Sequence, residues 1–96
     1  MRLLAIDTAT EALSVALHDG QGVCAHRFEV IGRGHAERVL PLVQDVLAEC
    51  GWTLTDLTAL AVGRGPGAFT GVRIGVSVAQ GLAFGLNIPV VEIGRA

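Results

Sequence analysis

The succession of hydrophobic patterns predicts an α/β fold, a five-stranded mixed sheet with elements in the order β-β-β-α-β-α-β. Three observations carry this. A continuous apolar run at residues 2–6, Arg2 aside, has the length and character of a central strand. A glycine-marked hairpin turn follows soon after, which requires antiparallel neighbours. Two later stretches have helical period, and each is followed by another apolar run of strand length. The chain has 96 residues, room for one small domain. With 51% hydrophobic and 17% charged residues the balance excludes disorder, and three Phe, one Trp and no Tyr make the core aliphatic.

The elements justify themselves in order. After residues 2–6, Asp7-Thr8-Ala9-Thr10-Glu11 is polar and turn-like. Leu13 to His18 alternates Leu13, Val15 and Leu17 against Ser14 and Ala16, which is a second strand. Asp19-Gly20-Gln21-Gly22 is the hairpin turn, and Val23 to Val30 a third strand of mixed polarity suited to a sheet edge. From His35 to Cys50, Ala36, Val39, Leu40, Val43, Val46, Leu47 and Cys50 share one side at ~100° per residue, with Leu42 at its margin. Pro41 removes one helical hydrogen bond, so a kink or a late regular start is expected there. Gly51 stops the helix, and Trp52 to Asp56 is a linker with Thr55 or Asp56 as a helix cap. Leu57 to Val62 is the fourth strand, Phe69 to Leu86 the second helix, closed by Asn87, and Ile88 to Ile93 the fifth strand.

Two helices cover one face of a sheet of this kind, so the expectation is a longer natural protein or a partner that supplies the second cover. The second helix points the same way. Ile74, Val78 and Leu82 lie on one side together with Gly71, Gly75, Gly81 and Gly85, and Val72, Val76, Ala79 and Ala83 lie beside them. Thr70, Arg73, Ser77 and Gln80, with Phe84 among them, make up the rest. Four glycines cost ~1 kcal/mol each relative to alanine, which close packing must offset. Two readings stand: a helix fully buried in its own domain, or one shared between the sheet and a partner.

Composition excludes several functions. The net charge is −2 and every cation is Arg, so charge-driven nucleic-acid binding, a P-loop lysine and Schiff-base chemistry are all absent from this chain. Cys24 and Cys50 lack metal-ligand spacing and read as reduced, buried thiols. Asp7 ends the first apolar run far short of a signal or membrane segment, so the expected location is cytoplasmic, with no membrane partner.

The stretch Gly65-Pro66-Gly67-Ala68-Phe69-Thr70-Gly71-Val72-Arg73-Ile74-Gly75 resembles the signature of the TsaB (YeaZ) family. Leu4-Ala5-Ile6-Asp7-Thr8-Ala9-Thr10, His35 with Leu40-Pro41, Ala79-Gln80-Gly81-Leu82-Ala83 and Asn87-Ile88-Pro89-Val90-Val91 are similar to its other segments. The resemblance runs over essentially the whole chain and over the N-terminal half of the usual family length. It implies the N-terminal lobe, residues 1–96, of an actin-like ATPase (ribonuclease H-like) fold. It also implies a bacterial role in making threonylcarbamoyladenosine beside the tRNA anticodon. The implied partners are a TsaD-like paralogue that carries the metal and the active site, a TsaE-like ATPase, and in isolation a second copy. Contact with tRNA would be indirect, and the pairings would use the two helices as a four-helix bundle.

The chemistry open to these residues is narrow. His18, His26 and His35 are never four residues apart, so no metal pair of the helical type exists, and no metal, cofactor or catalytic residue is expected of this chain. Asp7, Thr8 and Thr10 match in type and place the first phosphate turn of actin-like folds, although the same residues make ordinary turns. Gly65, Pro66 and Gly67 read as a strand-to-helix turn rather than a phosphate loop, for want of Gly-Lys-Ser/Thr; with Gly71, Gly75 and Arg73 they are structural candidates. Arg73, in the first helical turn, faces the positive end of the helix dipole and requires an anionic partner, for which Asp7 is the candidate. The expected function is a non-catalytic scaffold that docks on the TsaD-type subunit through Val39, Leu42 and Val46 of the first helix and Val72, Val76, Ala79 and Ala83 of the second. The alternative is an actin-like ATPase, kinase or metallopeptidase whose site a second lobe completes.

Overall fold

The structure, a computed structural model, describes residues 1–7, 12–30, 35–64 and 70–94, with side chains at 1–7, 12–30, 37–63 and 77–91. The elements are β1 (Leu3–Asp7), β2 (Ala12–His18), β3 (Val23–Val30), α1 (His35–Cys50), a 3-10 turn (Leu54–Asp56), β4 (Ala59–Arg64), α2 (Thr70–Leu86) and β5 (Val90–Gly94). They form one sheet in the order β3-β2-β1-β4-β5. β2 is antiparallel to β1 and β3, whereas β4 runs parallel to both β1 and β5. The mixed α/β sheet and its element order are therefore as expected.

Differences at the boundaries have local causes. β4 starts at Ala59 rather than Leu57, because the Thr58 N–H donates to the Arg2 carbonyl and sets the entry to the parallel ladder. β5 starts at Val90 rather than Ile88; Pro89 has no N–H to give, and its carbonyl accepts from Leu60 instead. The linker winds into a 3-10 turn capped from Thr53, not from Thr55 or Asp56: the Asp56 carboxylate accepts from the Thr53 N–H and hydroxyl. Arg2 braces this turn, lying 5.0 Å from the Trp52 ring centre and 3.4 Å from the Asp56 carboxylate.

Helix ends follow the sequence signals. Gly51 has φ of 70°, and the Trp52 N–H reaches the Leu47 carbonyl while the Gly51 N–H reaches that of Ala48. That is the Schellman pattern, which a left-handed glycine makes possible. Asn87, with φ of 57°, does the same for α2 through Ile88 to Ala83 and Asn87 to Phe84. Pro41 lies inside α1, which runs unbroken from His35 to Cys50.

Both helices lie on one face of the sheet. Leu4 and Ile6 of β1, Leu13, Val15 and Leu17 of β2, and Leu60 and Val62 of β4 join Val39, Leu42, Val43, Val46 and Leu47 of α1 and Ala79 and Ala83 of α2 in one core. Strand alternation sends the intervening residues, among them Ala5, Ser14, Ala16 and Ala61, to the other face, which no described element covers. Leu42, expected at the margin of the α1 stripe, is at its centre; Leu40, expected within it, is half exposed.

β3 is clamped to α1. Arg38 donates to both oxygens of Glu29, at 3.1 and 2.8 Å, and Arg27 pairs with Glu49. Cys24 and Cys50 are joined in a disulfide, with Cys24 exposed and Cys50 half-buried. This corrects the expectation of separate buried thiols: the hairpin carries Cys24 to the outer strand, beside the last turn of α1.

The Arg38 guanidinium, bonded to Glu29, holds that carboxyl below its ordinary range. Asp19 is lowered by the N–H groups of Gln21 and Gly22, and Asp56 by that of Thr53. Carboxyls depressed in the folded state bind protons more readily when unfolded, so their stabilisation is present above the ordinary carboxylate range and is lost as pH falls through the folded values. Glu29→Gln should lower the melting temperature at pH 7 by an amount that shrinks as pH falls through the carboxylate range, which a thermal melt series from pH 7 to 3 will read.

Candidate docking surface and the cleft beside Asp7

The open sheet face holds a shallow cleft of about 190 Å³ lined by Ala5, Asp7, Ser14, Ala16, His18, Ala61 and Gly63 among others. Small residues at the sheet centre create it, since alanine and glycine leave the pleat unfilled. Asp7, at the end of β1, points across β4. A Cβ built on Gly63 would lie 2.8 Å from the Asp7 Cγ and 3.0 Å from each carboxylate oxygen. The glycine is thus required by a close approach, and the approach fixes the carboxylate at the sheet's C-terminal edge, where α/β folds bind ligands.

On the same face Ser14 Oγ and His26 Nε2 are 3.1 Å apart. The pair does not form a hydrolytic triad. Asp7 is the ladder partner of Ser14, so the serine stands between imidazole and carboxylate, the reverse of the order in which a carboxylate orients a general base. Among the described residues no group of three His, Cys, Asp or Glu side chains is arranged to hold a metal ion, and no helix is long and apolar enough to cross a membrane.

Of the other expected site residues, Thr8, Thr10, Gly65, Pro66 and Gly67 lie outside the described residues. Gly71, Val72, Arg73, Gly75 and Val76 lie on α2, but their side chains, and hence the Arg73–Asp7 pair, lie outside them too.

The described part of the expected docking face requires correction. Val39 and Val46 are 0% exposed, Leu42 2%, Ala79 0% and Ala83 5%; all belong to the chain's own core. They point at the sheet because the two helices need these stripes to cover β1, β2 and β4, which leaves them nothing to offer a partner.

What does point outward on α2 is different. Phe84 is 91% exposed, and Ser77, Gln80, Gly81 and Gly85 are exposed around it. Nothing described lies within 4 Å of a Cβ built on Gly81 or Gly85. No charged residue occurs from Ile74 to Val91, so this surface is uncharged throughout. Leu40, Pro41, Gln44 and Ala48 are exposed on the neighbouring α1, as are the acidic residues Glu37, Asp45 and Glu49. The sequence did hold a signal for this patch. Phe84 falls among the polar positions of the helical wheel, and it is the most exposed of the large apolar side chains described.

The chain is similar to known proteins. The family model described as TsaD, tRNA N6-adenosine threonylcarbamoyltransferase, matches residues 21–95. The tRNA threonylcarbamoyladenosine biosynthesis protein TsaB of Escherichia coli K12 is 59% identical over 93 residues, 97% of this chain and 40% of that protein. YeaZ from Pseudomonas aeruginosa superposes with a TM-score of 0.88 at 55% identity, over 97% of this chain and 43% of that one. RuvC of T. thermophilus, crystallised with a Holliday junction substrate, matches with a TM-score of 0.65 at 16% identity, covering 99% of this chain and 65% of its own; that likeness shows a shared ribonuclease H-like fold. The chain spans about two fifths of the length of the curated relatives it matches.

The contact between Gly63 and Asp7 is testable. Gly63→Ala should destabilise the chain by about 1–3 kcal/mol, the usual range for overpacking. In an Asp7→Ala background the same substitution should cost less, a coupling that urea denaturation of the four-member cycle will measure.

Proposed function

Because the chain belongs to the TsaD family, in its TsaB (YeaZ) branch, we propose that it serves tRNA threonylcarbamoyladenosine biosynthesis as a docking subunit for a TsaD-type transferase. The observation that carries this is the exposed Phe84 flanked by Gly81 and Gly85 on an uncharged helical face. Aromatic anchors contribute disproportionately to binding, and glycines beside one let a partner helix approach closely. Neither glycine has a packing role among the described residues, so their helix-weakening cost of ~1 kcal/mol each is offset only in a complex.

The working mechanism is geometric. The outward sides of α1 and α2 form a two-helix platform, with Leu40 and Pro41 on one helix and Phe84 on the other. Equivalent helices of the transferase pack on it, and the platform holds that partner in its active shape. The chemistry, and the tRNA contacts, lie with the partner; this chain supplies no catalytic group. When the partner is absent a second copy occupies the same surface, and a TsaE-type ATPase joins the assembled pair.

Phe84→Asp should weaken co-purification with the TsaD-type protein at least tenfold and convert a dimer to monomer in sedimentation, with the circular dichroism spectrum unchanged. Leu42→Glu should unfold the chain instead, since it buries a carboxylate in the core. Unchanged pairing of a folded Phe84→Asp variant would remove the basis of this function.

A further inference from the structure

Three cross-links tie β3 to α1, spaced along both elements. The ion pair of Glu29 with Arg38 lies nearest their connection, that of Arg27 with Glu49 further along, and the Cys24–Cys50 disulfide furthest. The cysteines are 26 residues apart in sequence, and their Cα atoms are 6.2 Å apart, within the range a disulfide spans. Cys24 is exposed on the outer strand of the sheet, and Cys50, the last residue of α1, is half-buried before the Gly51 stop. The Cys24 end of the bridge is therefore the one a small thiol reagent meets from solvent, while Cys50 packs against the edge of the core.

We propose that Cys24 and Cys50 form a reversible redox staple that sets how firmly the end of α1 is held to the sheet. In the oxidising direction one thiolate attacks an external disulfide such as oxidised glutathione and releases one glutathione thiolate. The second cysteine thiolate then displaces the other glutathione from the mixed disulfide, joining Sγ to Sγ. Two cysteine thiols lose two protons and two electrons, and one glutathione disulfide becomes two glutathione thiols. Reduction by a dithiol runs the same steps backwards.

Two features suit this pair to cycling rather than to permanent bonding. Access is the first: Cys24 is exposed, so one end of the bridge is open to solvent. Redundancy is the second. With the bond open, α1 is still held by Val39, Leu42, Val43, Val46 and Leu47 in the core and by two ion pairs to β3. The helix stays docked while its last turn is released. Closing the loop removes freedom from the unfolded chain, so the oxidised form is the more stable one. Under the docking reading above, on which this consequence alone rests, the oxidised form presents α1 to the partner in a fixed frame.

The test uses the full chain and needs no partner, so it fails or succeeds independently of the docking proposal. The chain is equilibrated in glutathione buffers of increasing oxidised fraction, quenched with acid, alkylated with N-ethylmaleimide and weighed intact. The expected result is one two-electron transition in which both alkylation sites disappear together in monomeric chains. The oxidised chain should melt on the order of 10 °C above the reduced one. The Cys24→Ser/Cys50→Ser double variant should melt alike in both buffers. Two thiols that alkylate at every ratio, persistent glutathione adducts, or covalent dimers would overturn the staple, and equal melting of oxidised and reduced chain would overturn its mechanical role.

Discussion

One constraint organises the molecule: a β-strand sends alternate side chains to opposite faces, and the described helices cover one of them. Leu4, Ile6, Leu13, Val15, Leu17, Leu60 and Val62 pack against the described inward side chains of α1 and α2. Everything functional is therefore left to surfaces that the core does not use. These are the small-residue cleft on the bare sheet face and the outward sides of the helices. The correction of Val39, Leu42, Val46, Ala79 and Ala83 follows from the same arithmetic. Apolar residues on a two-helix layer first satisfy their own sheet, and only the surplus is free for a partner.

The fold was legible because its signals are local. The Asp19-Gly20-Gln21-Gly22 turn, the Gly51 stop and the Asn87 closure each act within a few residues and are where the pattern put them, and the apolar runs are strands with ends shifted by one or two residues. β3 and α1 have the very bounds their alternation and periodicity indicate. What escaped was long-range. Helical phase alone ranked Leu40 above Leu42, because a wheel records which residues are apolar and not where the sheet lies. The pairing of Cys24 with Cys50 depends on a hairpin bringing β3 against the end of α1, which no spacing rule contains. The approach of Gly63 to Asp7 depends on β1 and β4 being neighbours across more than fifty residues of chain.

The glycines of α2 show how one composition serves different purposes. A helix with glycine at 71, 75, 81 and 85 is intrinsically weak, and the sequence alone leaves open whether the offsetting packing lies inside the domain or with a partner. At Gly81 and Gly85 the described interior supplies none; the helix turns their bare backbone outward beside Phe84. Weakness on an exposed face is otherwise removed by any mutation to alanine, which costs no contact. Glycine there makes physical sense where a second helix must come closer than a methyl group allows.

The two helices are consequently unequal. α1 is pinned, with ion pairs and a disulfide to β3, five large aliphatic side chains in the core and acidic residues at Glu37, Asp45 and Glu49 on its flanks. α2 is held over its described side chains by Ala79 and Ala83 in the core, with Val78, Leu82 and Leu86 packed at its edge, and it carries no charge from Ile74 onward. A rigid neighbour beside a smooth, glycine-lined rod is a sensible division for a platform: the first fixes the frame, and the second offers a surface with little desolvation cost. Charge on α2 would have to be stripped of water on docking, whereas an uncharged face around one phenylalanine loses little and gains the whole ring. Under the proposed docking, specificity would come from shape, and Phe84 with its two glycines is a part of that shape that the described core does not use.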